Sequence, residues 1–241
     1  MSFEHLLADR TAAMNSNAIR EILKVTSQPG MISLAGGIPC PESFPIEAIE
    51  RFASAIIKRY GSRAFQYDLT EGFGPLREAL PSVLARKGVT ATPDQVLVTT
   101  GSQGALDSLG KVLISRGDHV VVEAPTYLGA LSAFNPYGPK YLQVNTDEDG
   151  VIPESLEELL KTHSVTLVYL VPTFQNPSGR TTTLPRRKAI AEIITRYNAL
   201  LVEDDPYNDL RYNGEAVPAI HSFAPDHVVY LGSFSKVFAP G

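Results

Sequence analysis

The chain has 241 residues, of which 44% are hydrophobic and 20% are charged, a composition typical of a globular protein with a packed core. Its 21 basic and 26 acidic residues give a net charge of -5, and no stretch concentrates the basic ones, which disfavours binding to nucleic acid or to an anionic membrane surface. The single cysteine excludes an intramolecular disulfide, and the five histidines never fall at metal-ligand spacing. The longest apolar run is too short to span a bilayer and the N-terminus is unlike a signal peptide, so we expect a cytoplasmic protein.

The first 45 residues differ in pattern from the rest of the chain. Apolar residues on one face predict a helix over 17–27, and a passage rich in glycine and proline follows at 36–45. This part is expected to be an arm or a connector. Helical periodicity then predicts helices over 46–60 and 75–87, the second kinked or broken at Pro81.

Short apolar runs rich in β-branched residues alternate with helical segments from residue 95 onward. Most lack strict alternation of apolar and polar residues, as is typical of strands buried on both faces. Strand followed by helix, repeated, predicts a parallel α/β sheet, and ligands bind such sheets beyond the carboxyl ends of the strands. The predicted strands are 96–100, 119–123, 141–145, 165–171, 199–203 and 227–231, and the predicted helices are 103–115, 153–161 and 185–197.

A turn suited to binding an anion follows the first predicted strand. Gly101 permits a tight turn, and the next helix begins within three residues, so that its first N–H groups and the Ser102 hydroxyl can donate to an anion. The glycines of this turn are Gly101 and Gly104 alone, which does not match the glycine pattern of a dinucleotide-binding turn. The P-loop pattern is absent from the sequence as well. An ordinary turn from strand to helix is the alternative.

Three further predicted strands are followed by residues with ligand-binding chemistry. Tyr127 follows the second strand and offers a flat ring, although a lone tyrosine is more often part of a core or its rim. Asn176 follows the fourth strand between Pro172 and Pro177, where a turn asparagine is the alternative. The acids at 203–205 follow the fifth strand, and carboxylates that leave a buried strand are costly unless they meet a cation.

The sixth predicted strand leads into Lys236, with Ser233 and Ser235 before it. A desolvated lysine amine is a nucleophile toward carbonyl groups. One ligand would use all these groups: it needs an anion for the helix start and the serines, a flat ring for Tyr127, a cationic ring nitrogen for an acid, a phenolic oxygen for Asn176 and a carbonyl for Lys236. Pyridoxal 5′-phosphate has every one of them.

Three motifs resemble those of the fold-type I, class I and II aminotransferases, which use pyridoxal phosphate. SFSK at 233–236 resembles the Schiff-base lysine motif, QNPSG at 175–179 the asparagine motif, and DDPY at 204–207 the pyridine motif. Each is weak alone, but their order and spacing are specific, and the resemblance covers nearly the whole chain. It implies an α/β fold like the large domain of aspartate aminotransferase, with a mainly parallel sheet and flanking helices.

The resemblance implies a role for each matching residue. Lys236 would form the Schiff base, Asp204 would pair with the pyridine nitrogen, and Asn176 with Tyr207 would bind the phenolic oxygen. Asp204 is preferred to Asp205 because the family places the acid three residues before the tyrosine. The remaining cofactor contacts would come from Tyr127, stacked on the ring, and from Ser102, Gln103, Ser233 and Ser235, which would hold the phosphate.

The resemblance also implies a homodimer with shared active sites, because 65–80 is similar to the segment whose tyrosine, here Tyr67, reaches the phosphate of the neighbouring subunit. Residues 17–23 and 36–45 are most similar to the branch of 2-aminoadipate and kynurenine aminotransferases. In that branch Arg20 would receive a distal carboxylate of the substrate, and Gly37 and Asn176 would lie beside the substrate. A solvated residue on an amphipathic helix is the alternative for Arg20.

The domain organisation implied by the resemblance is an N-terminal arm and small-domain segment over 1–45 and a cofactor-binding large domain over 46–241, incomplete at its C-terminus. The family continues well past Gly241 into a C-terminal small domain, which this sequence lacks, so we expect either a fragment of a longer enzyme or an inactive remnant. The family also places a later strand between 96–100 and 227–231, and we expect these two runs to lack that neighbour.

The function implied by the resemblance is transfer of an amino group from an L-amino acid to a 2-oxo acid such as 2-oxoglutarate. The donor stays open among 2-aminoadipate, glutamate, aromatic and branched-chain amino acids. One alternative is the cofactor-binding module of a transcription regulator, although few residues precede position 36 and the net charge is acidic. The other alternative is a lyase that uses the same cofactor. We expect no metal, nucleic acid or membrane to bind.

Overall fold

The computed structural model describes residues 3–14, 30–32 and 37–240. Within these residues a five-stranded parallel sheet has the order β2-β1-β5-β6-β7, and a short antiparallel pair, β3 and β4, lies apart from it. The strands are β1 (His119–Glu123), β2 (Lys140–Val144), β3 (Thr146–Asp147), β4 (Gly150–Val151), β5 (Val165–Leu170), β6 (Leu201–Asp204) and β7 (Val228–Leu231).

The described part of the chain also contains six α-helices and several short 3-10 helices, which precede the strands or connect them. The α-helices are α1 (Ile46–Tyr60), α2 (Gly74–Ala85), α3 (Gly101–Leu113), α4 (Leu128–Phe134), α5 (Pro153–Thr162) and α6 (Leu184–Arg196). The 3-10 helices are Glu4–Leu6, Asp9–Ala13, Pro41–Ser43, Gly61–Phe65, Pro93–Gln95, Asn135–Tyr137, Asn208–Leu210, Ile220–Ser222 and Pro225–His227.

The sheet is covered on both faces, as its continuous apolar strands predict. Successive side chains of a strand point to opposite faces, and on β5 Val168 and Leu170 pack with α5 and α6 while Leu167 and Tyr169 pack with α3 and α4. All four side chains are completely buried. Burial of a large apolar side chain contributes about 1.5–3 kcal/mol, so each face supplies a substantial part of the core energy.

One predicted strand, 96–100, is wrong: the backbone there is extended but belongs to no sheet. A strand needs a neighbour that receives its N–H groups, and here the N–H of Val98 donates instead to the carbonyl of Glu71 at 3.0 Å. A cavity of about 510 Å³ has 96–99 on one wall and β7 on another. The other five predicted strands are confirmed to within two residues at each end.

The predicted helices are confirmed with one difference. Helix α2 continues through Pro81 instead of ending there. Proline has no N–H, so the carbonyl of Arg77, four residues earlier, loses its helical donor without ending the helix. The predicted helix at 17–27 lies outside the described residues, and the domain boundary after residue 45 stays a prediction.

None of the described helices is both long and apolar enough to cross a membrane. In that same part of the chain, no three His, Cys, Asp or Glu side chains form a group that could hold a metal ion. Cys40 is exposed and free.

A fully buried arginine on α6 organises the loops at the carboxyl edge of the sheet. The Arg187 guanidinium donates to the Pro172 carbonyl at 2.8 Å, the Thr173 hydroxyl at 2.9 Å and the Pro218 carbonyl at 3.1 Å. Its nearest carboxylate is Glu203, 3.9 Å away and equally buried. Burial lowers the pKa of Arg187 and raises that of Glu203 to about 7, while each group's charge partly offsets the effect on the other. The buried guanidinium therefore fixes the start of the segment that begins at Pro172.

Arg187→Met should lower the free energy of unfolding by about 3–5 kcal/mol, because the buried Glu203 carboxylate and several loop carbonyls lose their cation. Chemical denaturation measures this loss. As a control, Arg196→Met breaks an exposed ion pair with Glu157, 2.8 Å long, and should leave stability nearly unchanged. Equal losses in the two variants would contradict the role given to Arg187.

Candidate active site

A cavity of about 240 Å³ lies at the carboxyl edge of the sheet, where β6 ends at Asp204 and where Val171 follows β5. Five separate segments contribute to its wall. The lining residues are Gly101, Ser102, Gln103, Tyr127, Val171, Asn176, Asp204, Pro206, Tyr207, Ser233, Ser235 and Lys236. Nine of the ten predicted cofactor-binding residues are in this set, and Tyr67 is the one that is not.

One end of the cavity is suited to an anion. Helix α3 begins at Gly101, whose φ of +72° is readily adopted only by glycine, and Ser102 follows in the first turn. The first N–H groups of a helix have no partner within it and attract negative charge. Ser233 and Ser235 line the same cavity, and the Ser233 hydroxyl oxygen accepts the Ser235 N–H at 3.1 Å. The proton of the Ser233 hydroxyl is thus free to point toward an anion.

Two glutamine side chains fix the segment that carries Tyr127. Gln103 donates from Nε2 to the carbonyl of Gly129 at 2.9 Å, and Gln175 donates from Nε2 to the carbonyl of Pro125 at 2.7 Å. These carbonyls lie two residues after and two residues before Tyr127. Gln103 therefore lines the cavity and also holds the loop that positions the aromatic ring.

The Tyr127 ring lies directly over the backbone of Gly129. A Cβ atom on residue 129 would overlap the ring, so glycine is required for this placement. Burial raises the pKa of Tyr127, and the neighbouring charge of Asp204 raises it further. The phenol therefore stays neutral and presents an uncharged flat wall to the cavity.

The two consecutive aspartates have different surroundings. Asp204, 2% exposed, accepts a hydrogen bond on Oδ2 from the Tyr169 hydroxyl at 2.7 Å, whereas its buried Oδ1 has no partner among the described residues. Burial raises the pKa of Asp204 to about 6 against the opposing effect of the Tyr169 hydrogen bond. Asp205 does not line the cavity, and its Oδ2 accepts from Tyr230 at 2.8 Å and from Asn208 at 3.1 Å. The family spacing and the geometry thus point to the same acid.

The polar groups on the other side of the cavity are already connected to one another. Asn176 donates from Nδ2 to the Tyr207 hydroxyl at 3.1 Å. Lys236 is partly exposed, and its Nζ donates to the carbonyl of Gly37 at 3.0 Å. Gly37, predicted to lie beside the substrate, therefore contacts Lys236, which lines the cavity.

Tyr67 and Gly37 are the predicted residues within the described part of the chain that do not line the cavity. The Tyr67 side chain is 98% exposed, and Arg20 lies outside the described residues. The sequence analysis did not identify three residues that support the cavity through their hydrogen bonds, namely Tyr169, Gln175 and Glu123. Glu123 accepts the Val171 N–H at 2.8 Å, and burial raises its pKa to about 8. A polar atom within an otherwise apolar strand was the available signal for Tyr169 and Glu123.

Comparisons with known proteins agree with this geometry. The family model described as aminotransferase class I and II matches residues 29–240. The chain belongs to the class I and II aminotransferases. Among curated members of this aminotransferase family, it is 42% identical to aromatic-amino-acid aminotransferase 1 of Thermococcus litoralis and 40% identical to 2-aminoadipate transaminase of Thermus thermophilus. Both alignments include all of this chain and 60% of the relative.

Solved structures of aminotransferases show the same similarity in three dimensions. The kynurenine aminotransferase of Pyrococcus horikoshii, determined in complex with PMP, superposes with a TM-score of 0.92 at 44% identity. That alignment includes 99% of this chain and 60% of the other. The chain thus spans about 60% of the length of these relatives. Membership in the aminotransferase family indicates pyridoxal phosphate as the cofactor.

The residues that line the cavity also fit pyridoxal phosphate by their own chemistry. The buried, unpartnered Oδ1 of Asp204 is an acceptor that a protonated ring nitrogen would satisfy. The start of α3 suits a phosphate, Tyr127 offers a flat wall, and the Lys236 amine can bond to a carbonyl. All four features line one cavity.

Gly129→Ala should weaken the binding of pyridoxal phosphate about 2- to 10-fold, because the added methyl group displaces the Tyr127 ring from its stacking position. Titration of the apoprotein, followed by cofactor absorbance, measures the dissociation constant. Gly74→Ala is the matched control, since a Cβ atom there meets nothing within 4 Å. An unchanged dissociation constant in Gly129→Ala would show that the ring position does not matter for binding.

Proposed function

We propose that the protein is a pyridoxal-phosphate-dependent transaminase that moves an amino group from an L-amino acid to a 2-oxo acid such as 2-oxoglutarate. The observation that carries the proposal is that Lys236 and Asp204 line one cavity and that Asp204 has a carboxylate oxygen with no partner among the described residues. Amine exchange at a carbonyl needs a lysine of this kind. A carboxylate that is hydrogen-bonded to the ring nitrogen stabilises the protonated form of that nitrogen, which this reaction requires.

The cofactor, when bound, supplies a carbonyl that exchanges amines and a ring that accepts electron density from the substrate Cα. Asp204 would accept the hydrogen bond of the ring nitrogen and keep its proton in place. Lys236 would bind the cofactor carbonyl and, once freed by the amino donor, take the proton from the substrate Cα. A positioned base of this kind contributes about 10² to 10⁴ in rate.

The other cavity residues would bind and orient. Asn176 and Tyr207, which are hydrogen-bonded to each other, would bind the phenolic oxygen. The phosphate would be bound by the α3 N-terminus with Ser102 and by Ser233 and Ser235, and Gln103 would help by holding Tyr127 through the Gly129 carbonyl.

The proposed donors are aromatic amino acids, kynurenine, 2-aminoadipate and glutamate, with branched-chain amino acids as a further class. The names of the most similar relatives support the first three. Gly37, in contact with Lys236, supports a substrate position at that end of the cavity. We propose Arg20 as the group that receives a distal carboxylate.

We also propose a homodimer in which Tyr67 reaches the phosphate of the neighbouring subunit. Two observations support this proposal. Tyr67 is 98% exposed and does not line the cavity of its own chain. Helix α1 exposes an apolar surface of the kind that another protein surface commonly covers. That surface contains Ile46, Phe52, Ile56 and Ile57, each 48% exposed or more.

For the domain organisation, we propose an arm over 1–45 and a large domain from residue 46. A cytoplasmic location is proposed because Cys40 is exposed and free.

Lys236→Ala, made in the full-length protein, should abolish turnover and the visible absorbance of the covalently linked cofactor while leaving weak binding of the cofactor. The phosphate and ring contacts remain, whereas the covalent link is lost. Absorbance spectra and assays with pairs of amino donors and 2-oxo acids measure both effects. Lys188→Ala, an exposed lysine outside the cavity, is the control.

Retained turnover in Lys236→Ala would remove this lysine from its role. Cofactor binding by the full-length wild-type protein without turnover for any donor would favour the regulatory module instead. Breakdown of the amino donor without any 2-oxo acid acceptor would favour a lyase.

Asp204→Asn should lower kcat/KM about 10- to 100-fold, because the hydrogen bond of an ionised carboxylate is worth about 1.5–3 kcal/mol and the amide keeps only the shape. Asp205→Asn should lower it much less, since Asp205 is bonded to Tyr230 and Asn208 outside the cavity. Steady-state kinetics measures both, with denaturation curves to separate folding effects. A larger loss in Asp205→Asn would show that the acids have been assigned in the wrong order.

A further inference from the structure

Two tyrosine–aspartate pairs lie side by side at the end of β6. Asp204 accepts from Tyr169 of β5 at 2.7 Å, and Asp205 accepts from Tyr230 of β7 at 2.8 Å. Each aspartate also has a buried Oδ1 that lacks a partner among the described residues. The pairs differ in surroundings, since Asp204 lines the cavity and Asp205 does not.

The strand register explains why Tyr169 reaches Asp204. Tyr169 lies opposite Val202 in the β5–β6 pairing. Val202 and Asp204 are two residues apart on β6, so their side chains share a face with that of Tyr169, and the tyrosine reaches the aspartate diagonally. Its ring is completely buried and packs edge-on against Phe134, with centroids 5.9 Å apart. The direction of the hydroxyl group is therefore fixed by the core.

We propose that Tyr169 is a positioning residue of the cofactor site, which keeps the Asp204 carboxylate charged and turns its Oδ1 toward the ring nitrogen. The inference rests on the proposed function. Tyr169 does not line the cavity, so it acts through Asp204 and not by touching the cofactor.

The charge on Asp204 depends on this hydroxyl group. Burial and the nearby Asp205 both favour the neutral acid, and the Tyr169 hydrogen bond is what opposes them. Burial raises the pKa of Tyr169 itself well above its usual value, so the hydroxyl keeps its proton and remains a donor. Asp205, Tyr127 and Glu123 are the ionisable groups that act on this pair, and Tyr207 and Lys236 line the same cavity as Asp204.

The consequence concerns the position of one proton. A charged Asp204 accepts from a protonated ring nitrogen, whereas a neutral Asp204 would donate its own proton to an unprotonated one. Loss of the Tyr169 hydroxyl should therefore move the shared proton from the ring nitrogen toward the acid. A defect that only loosened the fold would not move this proton selectively.

The test compares two ligands in the full chain: 4′-deoxypyridoxine 5′-phosphate, which has no carbonyl for Lys236, and its analogue with CH in place of the ring nitrogen. In Tyr169→Phe the preference for the nitrogen-containing ligand should fall about tenfold, as expected for a lost hydrogen bond to a charged group. The ¹⁵N chemical shift of the labelled ring should move toward that of neutral pyridine.

Tyr230→Phe is the matched control, because it makes the same chemical change at the neighbouring pair. It should keep both the ligand preference and the ¹⁵N shift. In an Asp204→Asn background, Tyr169→Phe should have no further effect on the preference. If Tyr169→Phe folds poorly, 3-fluorotyrosine at position 169 retains the shape, and its more acidic hydroxyl should increase the preference.

The preference and the ¹⁵N shift, if unchanged in Tyr169→Phe or in the fluorinated variant, would overturn the inference and leave the proposed function intact. Equal losses in Tyr169→Phe and Tyr230→Phe would also overturn it, since they would reflect a general loosening of β6. A wild-type chain that binds neither ligand would instead overturn the proposed function, and the inference with it.

Discussion

The parallel direction of all five strands in the main sheet is the constraint on which the candidate site depends. Because the strands run the same way, their carboxyl ends meet at one edge, and the residues that follow them are brought together from distant parts of the sequence. Tyr127, Asn176, Asp204 and Lys236 come from four different segments and still line one cavity. An antiparallel sheet of the same strands would divide these residues between two edges.

That edge places several carboxyl groups in the interior, and each is stabilised differently. Glu203 accepts the N–H groups of Ile220 and His221, both at 2.9 Å, and Glu123 accepts the N–H of Val171. These two carboxyl groups join backbone segments to one another, which is a structural role. Asp204 lines the cavity and instead receives a side-chain hydroxyl group on one oxygen, while its other oxygen has no partner among the described residues. The burial cost of Asp204 is therefore left partly uncompensated by the protein.

The sequence was sufficient to predict residues that carry a chemical signal in their own neighbourhood. Lys236, Asn176 and Asp204 each follow an apolar strand and belong to a motif with fixed spacing, so they could be placed without coordinates. Tyr169 could not, because its role depends on register: only the pairing opposite Val202 brings its hydroxyl group to Asp204. The prediction of a strand at 96–100 was wrong for a related reason. A β-branched segment becomes a strand only where a neighbouring strand pairs with its backbone N–H and C=O groups.

The same dependence on partners explains why the segment around Tyr127 is held by more contacts than Lys236 is. Tyr127 is held by two glutamine amides bound to the backbone on either side of it, and the ring rests on Gly129 where no side chain can intervene. Lys236 is partly exposed and makes one hydrogen bond, to the Gly37 carbonyl. A stacking surface must not move when a ligand binds, whereas an amine that exchanges partners must be released at low cost. The two sides of the cavity therefore differ in the way that the proposed amine exchange on a fixed ring requires.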